Sequence, residues 1–124
     1  MIRITEIAFT GYPVTDIVRA RAFYETLLGL KPATTFGEGA QQWVEYDLGS
    51  ATFAISNMAA EMWKPSSDGP AVAFEVENFA AAIATLKTAG VKFFIEAMES
   101  PVCHMAIVCD PDGNSLVIHK RKAA

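Results

Sequence analysis

The stretch "VTDIVRARAFYETLLGLKP", residues 14 to 32, and its echo "VENFAAAIATLKTAGVKF", residues 76 to 93, decide how this chain is read. In the first, Ile17, Ala20, Phe23, Tyr24, Leu27 and Leu28 recur at helical spacing, with Asp16 placed to cap the helix and Gly29 to end it. In the second, Phe79, Ala82, Ile83 and Leu86 form the apolar stripe, Asn78 takes the cap and Gly90 the stop. Each helix is preceded by an alternating apolar segment that reads as a strand, "TEIAF" at 5 to 9 and "AVAF" at 71 to 74.

Three more strands are expected after each helix: "ATTF", "QWVEYDL" and "TFAISN" in the first half, "VKFFIEAM", "VCHMAIVC" and "SLVIHK" in the second. Their turns are punctuated by "GEG" at 37 to 39, "GS" at 49 and 50, "ESP" at 99 to 101 and "DPDGN" at 110 to 114. The expected architecture is α+β: two tandem βαβββ modules forming a curled mixed sheet around a cleft. We expect one domain over 1–124, with module one at about 1–57, a linker at 58–70 and module two at about 71–121. The linker, "MAAEMWKPSSDGP", holds two prolines, two serines and a glycine, with one short helical turn at its start. A ferredoxin-like dimeric barrel is the alternative, but it requires a different strand count per repeat.

Composition narrows the function. At 124 residues, 52% hydrophobic and 19% charged, the chain has the make-up of one globular domain. A net charge of −4 offers no basic face for phosphates, so nucleic acid is not an expected partner. No run approaches the roughly 20 apolar residues of a membrane helix, and "MIRITEIAF" lacks the order of a signal peptide. A cytoplasmic protein without a membrane partner is expected. Cys103 and Cys109 lie six residues apart in one expected strand, roughly 20 Å between α-carbons, so they read as reduced thiols.

The two helical segments and the closing "DPDGNSLVIHK" together resemble the vicinal oxygen chelate superfamily, which includes glyoxalase I, bleomycin resistance proteins and extradiol dioxygenases. The resemblance runs from about residue 4 to residue 120. It implies a cleft between the modules, with metal ligands from the first and last strand of each. On that resemblance the opening ligand falls on Glu6, a possible metal ligand. The second module's counterpart falls on Ala71, the fourth strand's on Ala54 or Ile55, and the last strand's on Val117, none of which can ligate. One possible ligand of four is too few, since catalytic zinc-type sites keep about three protein ligands. No cofactor is therefore expected; a divalent metal held by a relocated set using Glu6, His119 or His104 is the alternative.

Alternation along the strands gives the candidate site. Glu6, Ala71, Ala73, Glu75, Ser115, Val117 and His119 are expected on the cleft side. Glu6 and His119 are the candidate catalytic groups, as base or hydrogen-bond partner, against a purely structural ion pair for Glu6. Glu75, Trp43, Glu45, Tyr46, His104 and Val117 are candidate ligand contacts. For Glu75 a place at the wet end of its strand is the competing reading, and for His104 a structural one. Trp43, Tyr46 and Phe53, with Trp63 in the linker, are candidates for an aromatic wall around a flat or cationic ligand, or for half-buried anchors.

Three functions follow. The first is a glyoxalase and bleomycin-resistance-like protein that binds a small organic ligand without the family metal, either holding it or acting as a metal-free lyase or isomerase. The second is a metal-dependent lactoylglutathione-lyase-like or dioxygenase enzyme with displaced ligands. The third is a structural or regulatory module with a filled cleft. Sheet edges need cover, so a homodimer is expected.

Overall fold

In the computed structural model, which describes residues 1–123, the chain forms eight strands and two helices in the order of a duplicated βαβββ unit. The strands are β1 (Thr10–Pro13), β2 (Pro32–Phe36), β3 (Trp43–Leu48), β4 (Ala51–Ser56), β5 (Val72–Glu75), β6 (Phe93–Glu99), β7 (Cys103–Cys109) and β8 (Ser115–Arg121). The helices are α1 (Ile17–Arg21), which continues as a π-helical segment over Ala22–Leu27, and α2 (Phe79–Thr88). The chain divides into two compact units, Met1–Lys64 and Pro65–Ala124, and the division falls inside the expected linker.

Each unit contains one four-stranded mixed sheet, ordered β1-β4-β3-β2 and β5-β8-β7-β6. In each, the opening strand lies parallel to the last strand of its own repeat and the remaining pairs are antiparallel. The first two strands of each repeat therefore run in the same direction at opposite edges of their sheet, and the helix between them supplies the crossover that a tight turn cannot. This is the α+β fold expected from the repeat, and not the ferredoxin-like alternative. Among the described residues no helix is long and apolar enough to cross a membrane.

Both helices start and stop as the sequence indicates. Asp16 and Asn78 accept from the backbone amides of Arg19 (3.1 Å) and Ala81 (3.0 Å). Gly29 and Gly90 sit at φ 76° and 75°, a conformation that side chains resist. At α2 the stop is a Schellman motif, with Val91 N–H bonding Leu86 and Gly90 N–H bonding Lys87. The first helix has one residue more between cap and glycine, Asp16 to Gly29 against Asn78 to Gly90. That residue is absorbed by the π-helical turn, where Leu28 N–H reaches back to Phe23 and Leu30 N–H to Tyr24.

The opening strand differs from expectation. Residues 5–9 are exposed and lie outside the sheet, and the paired strand is β1, Thr10–Pro13. Ile2, Ile4 and Ile7 are each more than four-fifths exposed, so their alternation does not mark a core strand. The physical reason is length: β4 begins at Ala51 and Thr10 pairs with Phe53, so little of β4 remains to carry residues further upstream. Superposing the two caps, Asp16 on Asn78, sets β1 on β5. The residue matched to Ala71 is then Phe9, not Glu6.

Candidate functional site

The pairing registers assign every strand residue to one of two sheet faces. In the first unit, Val44, Tyr46, Phe53 and Ile55 turn towards α1, where Tyr24 lies 5.2 Å from the Phe53 ring and 6.5 Å from the Tyr46 ring. Tyr46 and Tyr24 are fully buried. The proposed aromatic wall therefore splits: Tyr46 and Phe53 belong to the helix-side core, and Tyr46 does not share a face with Trp43.

Tyr46 has a polar task in that core. Its hydroxyl donates to Glu25 Oε2 at 2.8 Å, and Arg21 Nε donates to the same oxygen at 2.6 Å while Arg21 also reaches Gln42 Oε1 at 2.9 Å. Burial, followed by the bond to Glu25, raises the Tyr46 phenol and keeps it a donor. The bond to Glu25 likewise raises Arg21. The Arg21–Glu25 pair has ordinary helical spacing, but its union with Tyr46 was not visible in the sequence, because that bond joins residues 21 apart.

The opposite face of the first sheet carries Gly11, Trp43, Glu45 and Ala54, with Gly11 paired to Ala54 and Ala54 to Glu45. Trp63 of the linker stacks on Trp43 at 6.3 Å between centroids and 26° between planes, and Phe9 meets Trp43 edge-on at 5.2 Å. The Trp43 indole N–H donates to Glu45 Oε2 at 2.9 Å, so Glu45 shares its face with Trp43 as expected. Gly11 makes room for this cluster: a Cβ there would sit 3.1 Å from the Trp63 ring. In the sequence, Gly11 reads as a turn residue and Phe9, by alternation, as facing the helix; the structure sets both against the tryptophan pair, because the strand begins at Thr10.

In the second unit, His104 faces the helix, its ring 5.5 Å from Phe79 of α2. It is thus removed from the face that holds Val117, contrary to a shared ligand surface. Ala73 pairs with Val117 and Glu75 with His119 on the other face, as alternation required. His119 Nδ1 lies 2.6 Å from Glu75 Oε1, and the Arg121 backbone N–H donates to Glu75 Oε2 at 2.7 Å. Those bonds, the backbone one first, hold the Glu75 carboxyl below the usual carboxylate range. His119 and Glu75 are therefore brought together, although in the sequence they are treated separately. Ala71 precedes β5 and is exposed.

Glu6 is exposed on the segment before β1 and joins neither face. Cys103 and Cys109 are free, and burial raises the Cys109 thiol, which donates to the Asp110 carbonyl at 3.1 Å. The "DPDGN" turn is structural: Asp110 Oδ1 accepts from the amides of Asp112 (2.8 Å) and Asn114 (3.0 Å). Asn114 Oδ1 in turn accepts from Ser66, which ties the linker's end to the second unit.

The metal implied by the family was tested against these positions. The matched opening residues are Phe9 and Ala71, and the matched positions on β4 and β8 are Ala54 and Val117, since Gly11 pairs with Ala54 as Ala73 does with Val117. None carries a ligating atom on its side chain. Among the described residues no three His, Cys, Asp or Glu side chains gather into a metal-binding group. The residues present do not fit the family metal.

Comparison with known proteins agrees with this architecture. The chain matches the Glyoxalase/Bleomycin resistance protein/Dioxygenase superfamily over residues 6–118. Similar solved structures include TnmS3, an antibiotic binding protein from Streptomyces sp. CB03234, at TM-score 0.78 and 19% identity, covering 98% of this chain and 100% of that one. A superfamily member from Sphaerobacter thermophilus DSM 20745 aligns at TM-score 0.73 and 20% identity, with 94% and 98% coverage. SMU.1112c aligns at TM-score 0.75 and 20% identity, with 94% and 99% coverage. At these identities the likeness shows the fold alone. No curated protein sequence matches the chain. The match over nearly the whole chain, on a duplicated βαβββ fold, means that this protein belongs to the Glyoxalase/Bleomycin resistance protein/Dioxygenase superfamily.

Proposed function

We propose that this protein binds a flat, preferably cationic, small organic molecule on the aromatic face of its first unit, without the family metal. The observation that carries the reading is the Trp43–Trp63 pair, near-parallel at 26°, with the Glu45 carboxylate on the Trp43 indole N–H. Aromatic faces attract cations, and a neighbouring carboxylate adds charge complementarity. Antibiotic binding by the structurally similar TnmS3 supports a binding rather than a catalytic emphasis. Glu6 as a catalytic base receives no support from its exposed place outside β1.

A reduced, cytoplasmic setting and a homodimer belong to the same reading. The two thiols are free, and Ile2, Ile4 and Ile7 leave apolar surface for a second copy to cover. A monomeric mass in solution at micromolar concentration refutes the dimer.

The binding reading is tested by titrating tryptophan fluorescence with proflavine, a flat aromatic cation, and with uncharged acridine. Saturable quenching that is stronger for proflavine, and weakened about tenfold by Trp43→Ala, is expected for a contact of about 1.4 kcal/mol. Unsaturable quenching, or equal binding by Trp43→Ala, overturns it.

A further inference from the structure

A second feature of the molecule lies on the sheet of the second unit, on the face turned away from α2. The registers line up two rows across its four strands. One row is aliphatic throughout: Ile95, Ile107, Val117 and Ala73. The next row reads Met98, Met105, His119 and Glu75, each residue directly opposite its neighbour. Directly opposed residues have α-carbons about 4.5–5.5 Å apart, so the backbone sets Met105 beside both Met98 and His119 on one face.

Met98 is on this face because β6 is irregular. Strict alternation would turn residues 95 and 98 to opposite faces, yet a register shift between them leaves both Ile95 and Met98 opposite residues of the same β7 face. The imidazole is also oriented. Glu75 occupies its Nδ1 side, which favours the tautomer that donates from Nδ1 and leaves Nε2 as a lone-pair donor. A carboxylate behind one ring nitrogen is the usual support of a metal-binding histidine.

We propose that Met98, Met105 and His119 form a site for Cu(I), with Glu75 as a positioning residue. Thioether sulfur is a soft ligand that favours Cu(I), whereas Mg, Ca and Mn prefer oxygen. Exposed Arg121, two residues beyond His119 on the same face, disfavours a divalent ion more than a monovalent one, and Glu75 offsets one positive charge. Access to His119 is through an open depression of about 450 Å³ that it lines with Pro101, Val102, Cys103 and Arg121, and Met98, outside that depression, is itself exposed. The site uses none of the residues at the family's metal positions.

The test is a competition for Cu(I) between the protein and bicinchoninate, kept reduced with ascorbate. It is done in the Cys103→Ser/Cys109→Ser background, so that thiols do not carry the binding. One equivalent of Cu(I) withdrawn by that variant is expected, with affinity reduced at least a hundredfold by Met98→Leu/Met105→Leu, which preserves side-chain volume. Glu75→Gln is expected to weaken binding 10- to 100-fold. No Cu(I) withdrawn by the cysteine-free variant, or undiminished binding after both methionines are replaced, overturns the site. Methyl NMR of the unaltered protein gives a second readout: of its five methionines, Met98 and Met105 are expected to shift on adding Cu(I), and shifts confined to the others refute the assignment.

Discussion

The two units share a connectivity, a register and a pair of capped helices, but they bury those helices to different depths. The first helix buries Ile17, Ala20, Phe23 and Tyr24, and its two aromatics join Tyr46 and Phe53 in one ring cluster. The second, "FAAAIATLKT", has Phe79, Ala82, Ile83 and Leu86 on its packing stripe and fully buries only Leu86, the other three being half-buried. Half-buried side chains remove less apolar area from water than buried ones, so the second helix draws less on its core than the first does. The lesson is that the duplication preserves what sets backbone direction and varies what fills the space between helix and sheet.

The largest expected effect breaks this asymmetry directly. Tyr24→Ala removes the centre of the first ring cluster and is expected to cost about 3–5 kcal/mol, whereas Leu86→Ala is expected to cost about 2 kcal/mol. Denaturant melts of the two variants decide it, and equal losses would dissolve the contrast. Next in size are the caps. Asp16→Ala and Asn78→Ala are each expected to cost about 1 kcal/mol, because both remove one side-chain bond to a first-turn amide at nearly the same distance. A loss confined to one of them would show that the units differ in more than packing.

The smallest effect concerns the face opposite α2. Glu75 has a depressed folded-state pKa, so its contribution to stability is fully present above the unfolded value of about 4.5 and is lost as pH falls through the lower folded value. Glu99, held down mainly by Lys122, titrates in the same direction. Thermal melts below about pH 5 should therefore show a shallower acid decline for Glu75→Gln than for the unaltered chain. An identical decline would mean that ionised Glu75, through the Arg121 amide and His119, adds nothing to folding.

The duplicated fold is legible in the sequence because its signals are local. A cap, a helical stripe and a stop glycine act within one or two turns, and Asp16, Gly29, Asn78 and Gly90 all do in the structure what their types imply. The sharing of faces by Glu75 with His119, and by Trp43 with Glu45, was also legible, since alternation is a property of a single strand or a simple pair. What failed depends on how far a neighbouring strand extends. "TEIAF" alternates like a strand, yet it finds too little of β4 to pair with, and the repeat alignment that placed Glu6 opposite Ala71 fails with it.

The sequence by itself thus determined the βαβββ repeat and the capped helices, because each follows from residue type and short-range geometry. Only the tertiary structure decided which aromatics stand together and how the extra helical residue is stored. It also decided that a bulge in β6 aligns Met98 with Met105 and His119. Those outcomes depend on packing and pairing beyond any one segment, and in a sheet one residue of slip exchanges the two faces.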